Sequence, residues 1–205
     1  LKETEEMILQ HLNKAGQQDV VAFSGMITTL KWQEEIAKMV RRHLPDTFIV
    51  SGNGLATEIR RGLFKWIPEL DAVARSEGDD VILSILNDAK QIREYGASKA
   101  YKISKLSNYC IGEFEGKIRF QYEGDRPKDL DAIPYPAFDL LISDPYGHNV
   151  LEDYINIPVW GLAANNSSAT SFTMNRSLTS VSSRGCPYAC AFCYRGAQGE
   201  RNYGM

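Results

Sequence analysis

Three of the four cysteines in this chain stand within eight residues of one another, in the run Cys186-Pro187-Tyr188-Ala189-Cys190-Ala191-Phe192-Cys193. The spacing is C-x3-C-x2-C. Thiolates are the usual ligands of iron–sulfur clusters. Three of them on one short loop can each hold one iron of a cubane. The fourth iron then has no protein ligand and can accept a substrate. A structural zinc site normally closes its tetrahedron with a fourth Cys or His. The histidines are His11, His43 and His148, none of them adjacent to the loop. Cys110 would complete a zinc site only if the fold brought it near. Disulfides would leave one cysteine of the cluster over. Nothing in the sequence marks secretion, and clustered thiols favour a metal site in a reducing compartment, so a cytoplasmic location is expected.

The elements that would position such a site begin with alternating helix and strand. Thr4 is placed to cap a helix to Lys14, with Ile8, Leu9, Leu12 and Ala15 inward and Gly16 ending it. The apolar run Asp19–Phe23, stopped by Ser24-Gly25, suits a strand buried on both faces. Thr28 or Thr29 can cap the next helix. In it Trp32, Ile36, Met39, Val40 and Leu44 fall at helical spacing, and Glu34 and Lys38 stand one turn apart as a favourable pair. Phe48-Ile49-Val50 is a second strand, ending in Ser51-Gly52-Asn53-Gly54, with a helix expected around Glu58 to Trp66. Ala72-Val73-Ala74 is a third, ending in Arg75-Ser76-Glu77-Gly78-Asp79-Asp80, after which Val81, Ile82, Ile85 and Leu86 open a helix. This alternation predicts an α/β fold, a Rossmann-like doubly wound parallel sheet. Ligands of such sheets sit beyond the C-terminal ends of the strands, where these three small-residue turns lie.

From about Lys99 the texture changes. Tyr109–Phe114 and Ile118–Tyr122 around Glu115-Gly116 read as a β-hairpin. Pro127, Pro134 and Pro136 make Asp125–Asp139 an extended connector. Residues 143–170 read as polar and irregular, and Ser177–Ser183 as a strand leading into the cysteine loop. The expected organisation is 1–98 as the Rossmann-like domain, 99–170 as hairpin and linker, and 171–205 as the start of a further domain.

Bulk composition excludes several classes. The chain has 205 residues, 43% hydrophobic and 24% charged, ordinary for a globular protein. A net charge of −3 gives no basic surface for a nucleic-acid backbone. No apolar run approaches the roughly 20 residues of a membrane span. No charged-then-apolar signal segment opens the sequence.

The cysteine loop, with an aromatic residue just before its third cysteine, resembles the signature of the radical S-adenosylmethionine (SAM) superfamily. Its surroundings, Ser183-Arg184-Gly185-Cys186 through Tyr194, resemble members that carry an N-terminal cobalamin-binding domain. Leu130–Leu141, containing Ile133-Pro134-Tyr135-Pro136, resembles the linker that those proteins use before the barrel. The resemblance implies a 4Fe–4S cluster on Cys186, Cys190 and Cys193, SAM on the open iron, and Phe192 near the adenine. It also implies a reductant such as flavodoxin or ferredoxin, a small-molecule or peptide substrate, and a (β/α) barrel of which this chain carries the first strand. Ser24-Gly25, Ser51-Gly52-Asn53-Gly54 and Ser76-Glu77-Gly78-Asp79 match the family's cobalamin-holding turns. The reaction implied is reductive cleavage of SAM to a 5′-deoxyadenosyl radical, followed by methyl transfer to an unactivated carbon.

Two departures stand beside this. The family's domain usually opens with a further strand–helix–strand, and there is no Asp-x-His-x-x-Gly to supply a lower cobalt ligand. His11 and His43 read as surface or boundary residues. The chain stops twelve residues after Cys193, so it is expected to be an incomplete piece of the enzyme. Glycines end strands in every α/β protein because they allow tight turns, and Glu77–Asp80 would serve equally as a helix-capping loop. Trp32 and Trp66 read as core and Cys110 as a half-buried strand residue. Rival readings are a radical SAM methylthiotransferase, whose first domain carries three further cysteines absent from residues 1–100 here, and a non-catalytic cobalamin-, nucleotide- or zinc-binding module.

Overall fold

The computed structural model describes residues 2–16, 19–96, 110–125, 127–144 and 146–156, together with Arg184, Ala191 and Phe192. The chain divides into two units between Leu130 and Asp131.

In the first unit, α1 (Lys2–Ala15) leads to β1 (Val20–Ser24), and a 3-10 turn (Ile27–Thr29) opens α2 (Leu30–His43). β2 (Phe48–Gly52) runs directly into α3 (Asn53–Ile59), which a 3-10 turn (Arg60–Gly62) separates from α4 (Leu63–Trp66). β3 (Ala72–Ser76), α5 (Val81–Tyr95), β4 (Cys110–Phe114) and β5 (Lys117–Gly124) follow. The strands form one sheet in the order β1-β2-β3-β5-β4. The first four in that order are mutually parallel, and β4 is antiparallel to β5. The Rossmann-like parallel arrangement expected from the alternation is present.

Strand alternation divides the core in two. Val21, Phe23, Ile49 and Val73 pack with Ile8, Leu9 and Leu12 of α1, Ala37 and Val40 of α2, Leu55 of α3, and Leu63 and Phe64 of α4. Val20, Phe48, Val50, Ala72, Phe120 and Tyr122 face the other way, onto Val81, Ile85 and Ala89 of α5. Helices on both faces are what a doubly wound sheet requires.

Several sequence expectations are corrected. The hairpin is not part of a separate linker: β5 pairs in parallel with β3 from Ala72↔Phe120 to Ser76↔Gly124 and extends the sheet. Its turn residues Glu115 and Gly116 both have positive φ, 51° and 77°, as the tight hairpin turn demands. The helix expected at 58–66 starts earlier, at Asn53, and breaks where Arg60 takes φ 55°, ψ −138°, outside the helical region. Trp32 and Trp66 are 48% and 58% exposed, not core. The buried residues of α2 are Gln33, Ala37, Met39 and Val40, with Ile36 and Leu44 packed against the same core. Trp32 is not among them and stands edge-on to Phe23, at 6.1 Å between ring centroids.

In the second unit, a 3-10 turn (Phe138–Leu141) follows the prolines, and α6 (Val150–Asn156) lies inside the stretch read as irregular. The Asn149 side chain accepts the Glu152 amide at 3.1 Å, a capping bond three residues on. Asp144 Oδ1 accepts the amides of Tyr146 and His148, both at 2.8 Å, which shapes the turn before that helix. The strand at 177–183, the cluster loop's cysteines and any barrel lie outside the described residues. No helix among the described residues is long and apolar enough to cross a membrane.

Candidate functional site

Because β1, β2, β3 and β5 run parallel, all four C-terminal ends emerge at one edge, with Ser24 opposite Gly52 and Ser76 opposite Gly124. The three predicted turns therefore lie side by side. Hydrogen bonds join them. Asn53 Nδ2 donates to Ser24 Oγ at 2.9 Å, and the Gly25 amide donates to the Gly52 carbonyl at 3.3 Å. The Leu55 amide donates to the Gly25 carbonyl at 3.0 Å, so α3 is tied back to the end of β1. Asn53 has φ 67°, a conformation that Asn tolerates because its short side chain bonds locally. Its Oδ1 accepts the Gly54 amide at 2.6 Å.

The side chains divide into those that reach the edge and those that support it. Ser24, Asn53, Ser76 and Gly78 are exposed, whereas Gly52, Gly54, Glu77 and Asp79 are half-buried. Ser51 is wholly buried and donates its hydroxyl to Gln33 Oε1 at 3.0 Å. It therefore holds β2 to α2 and presents no side chain to a ligand. Gln33 Nε2 donates to Thr29 Oγ1 at 3.1 Å, and the Thr29 hydroxyl donates to the Met26 carbonyl at 2.9 Å. Thr29 thus fastens the first turn, while it makes no capping bond to α2. Asp80 likewise makes no side-chain cap on α5. At the fourth strand end, buried Arg75 donates to Glu123 Oε1 at 2.6 Å across the Arg75↔Glu123 register pair.

The glycines fall into two groups. Gly25 and Gly124 are required by the protein's own packing. A Cβ on Gly25 would lie 2.2 Å from Gln33 Nε2, and one on Gly124 would lie 1.6 Å from the Glu77 carbonyl oxygen. Gly52, Gly54 and Gly78 are different. A Cβ on Gly52 would meet only ordinary contacts, the nearest at 3.8 Å, and on Gly54 or Gly78 it would meet nothing within 4 Å. None of these three has a positive φ. Among the described residues neither backbone conformation nor packing calls for glycine there.

Sequence reasoning missed Gln33, Thr57, Arg75, Glu123 and Gly124. Gln33 was detectable as a polar residue on the apolar stripe of α2. Gly124 was legible only as a glycine at a strand end.

A cavity of about 550 Å³ lies at the opposite edge, lined among others by Arg41, Phe48, Asp71, Ile92, Arg93 and Phe120. Its cations are engaged within the fold. Arg41 donates to the carbonyls of Pro45, Thr47 and Glu69 and to Asp71 Oδ2, and Arg93 pairs with Asp19. Asp71 Oδ2 also accepts the Ile49 amide at 2.8 Å, so this cluster closes the bottom of the sheet.

Cys186, Cys190 and Cys193 lie outside the described residues. Phe192 is described and is 92% exposed. Among the described residues no three His, Cys, Asp or Glu side chains gather as a metal site.

No family model matches the sequence, and no solved structure matches it. A curated protein of Pyrococcus horikoshii, described as an uncharacterized methyltransferase, is similar: 23% identical over 175 residues, covering 85% of this chain and 31% of the relative. The chain thus spans about a third of the length of that relative.

Proposed function

We propose that this chain belongs to a cobalamin-dependent radical SAM enzyme, with a 4Fe–4S cluster on Cys186, Cys190 and Cys193 and a corrinoid held at the C-terminal edge of the parallel sheet. The observation that carries the reading is the C-x3-C-x2-C spacing with Phe192 before the third cysteine. Three thiolates leave one iron open for the amino and carboxylate groups of SAM, and thiolate ligation of iron is the chemistry this donor set favours. The cofactors supply the hard chemistry, and the protein positions them and excludes water.

The strand-end edge supports a corrinoid there. Gly52, Gly54 and Gly78 put no side chain at this edge, and among the described residues nothing crowds their Cβ positions. Exposed Ser24, Asn53 and Ser76 stand beside that surface with polar atoms for orientation. A parallel sheet binds ligands at this edge as a rule. For the whole protein, methyl transfer to an unactivated carbon is the proposed reaction. The description of the Pyrococcus relative as a methyltransferase supports group transfer of this kind.

Anaerobic iron–sulfide reconstitution with hydroxocobalamin, followed by desalting, tests the reading. The chain should retain about four irons and cobalt. A Cys186, Cys190 and Cys193 to Ala variant should lose the iron and keep the cobalt. Zinc in place of iron would exclude the cluster. Iron without cobalt would remove the corrinoid.

A further inference from the structure

Ser76 ends β3 with φ 60°, in the left-handed region that a non-glycine residue seldom occupies. From it the chain departs into Glu77-Gly78-Asp79, one of the three turns at the ligand edge. A disfavoured conformation persists only where its surroundings hold it. The Ser76 amide donates to Thr57 Oγ1, at 3.2 Å. Thr57 lies on α3, the helix that grows directly out of the second turn, and is 9% exposed. One buried hydroxyl thus joins the helix of the second turn to the strand end of the third.

We propose that Thr57 is a positioning residue for the ligand edge: by accepting the Ser76 amide it fixes the left-handed exit from β3 and with it the direction of the Glu77–Asp79 turn. Its consequence for binding rests on the corrinoid reading above, but its effect on Ser76 does not. Gln33 has the corresponding place at the first turn, wedged under Gly25 from α2. The shape of the edge is in this way set by two helix side chains that never reach the ligand surface.

Thr57→Val keeps the shape and removes the acceptor, and Thr57→Ser keeps the acceptor. Amide hydrogen exchange and hydroxocobalamin titration of the same samples test the role. In Thr57→Val the Ser76 amide should exchange about tenfold faster, while Ile49 and Val50 in β2 stay protected, since exchange reports local opening. Hydroxocobalamin affinity should fall about tenfold, the loss of one modest positioning contact, and Thr57→Ser should restore both. If Thr57→Val does not fold, Thr57→Ala is read in the same way. Unchanged Ser76 exchange would overturn the proposal, as would acceleration spread evenly over the sheet. Local, serine-rescued exchange in a chain that binds no cobalamin would uphold Thr57's role and remove the corrinoid reading instead.

Discussion

Between α5 and the sheet, Tyr122 donates its hydroxyl to Asp88 Oδ2 at 2.8 Å, while Asp88 Oδ1 has no hydrogen-bond partner among the described residues. Both residues are almost wholly buried, at 0% and 1% exposed. Burial pushes the Asp88 carboxyl above its ordinary pKa, and the bonds from Tyr122 and Asn87 only partly oppose it. The side chains packed around α5 from β2 and β3 (Phe48, Val50, Ala72 and Ala74) are uncharged, so none of them offsets the effect.

A carboxyl with a raised pKa stabilises the folded state while it is protonated. That contribution is complete below the unfolded value, about 3.9 for Asp, and is lost as pH rises through the folded value. Asp88→Asn has no such titration. Measured by urea unfolding at each pH, the stability of the natural chain relative to Asp88→Asn should therefore fall from pH 4 to pH 8. A difference that stays flat across this range would mean that Asp88 ionises as it does in the unfolded chain.

Gly25 and Gln33 should be energetically coupled. Gly25→Ala places a methyl against the Gln33 amide, whose two ends are already engaged by Ser51 and Thr29. Overpacking of this kind costs about 1–3 kcal/mol. Gln33→Ala alone leaves the Ser51 hydroxyl buried without its acceptor, again destabilising. In the double variant the methyl occupies space that the glutamine vacated, so the two costs should not add. A double-mutant cycle should give a coupling of about 0.5–3 kcal/mol. Simple additivity would show that the two groups do not touch.

The Rossmann-like sheet was legible because its signals are local and repeated: short apolar runs, small-residue stops, and amphipathic helices between them. The hairpin was equally plain from Glu115-Gly116 and its flanking alternation. Its place beside β3 was not, because parallel pairing between Ala72–Ser76 and Phe120–Gly124 is a long-range relationship with no local mark. The same holds for the edge. Its glycines and serines stand out in the sequence, but their sorting into packed (Gly25, Gly124) and open (Gly52, Gly54, Gly78) depends on what lies opposite each of them. Thr57 and Gln33 were missed for that reason. Their function is a contact to another element, and only Gln33, polar on an apolar stripe, carries a local sign of it.

Gly124→Ala should be the most damaging of the glycine substitutions. Its new methyl would meet backbone, the Glu77 carbonyl at 1.6 Å, where no side chain can rotate away. The cost should exceed the roughly 1–3 kcal/mol of ordinary overpacking, because β5 must separate from the third turn to relieve it. Chemical denaturation compared with Gly25→Ala measures this. A loss no greater than that of Gly25→Ala would show that the turn yields easily.

Gly54→Ala separates a ligand-shaped edge from a merely economical one. Gly54 is the second residue of α3, its φ is not positive, and a Cβ there meets nothing within 4 Å. Alanine is favoured over glycine within helices by about 0.5–1 kcal/mol, so the variant should be slightly more stable than the natural chain. If the open backbone is where a corrinoid lies, the same methyl should obstruct it and weaken hydroxocobalamin binding. Stability and affinity would then move in opposite directions, which neither general damage nor general stabilisation produces. Thermal unfolding and spectrophotometric titration of one preparation read both. A variant that gains stability and binds as well as the natural chain would show that the glycine at 54 is not kept open for this ligand.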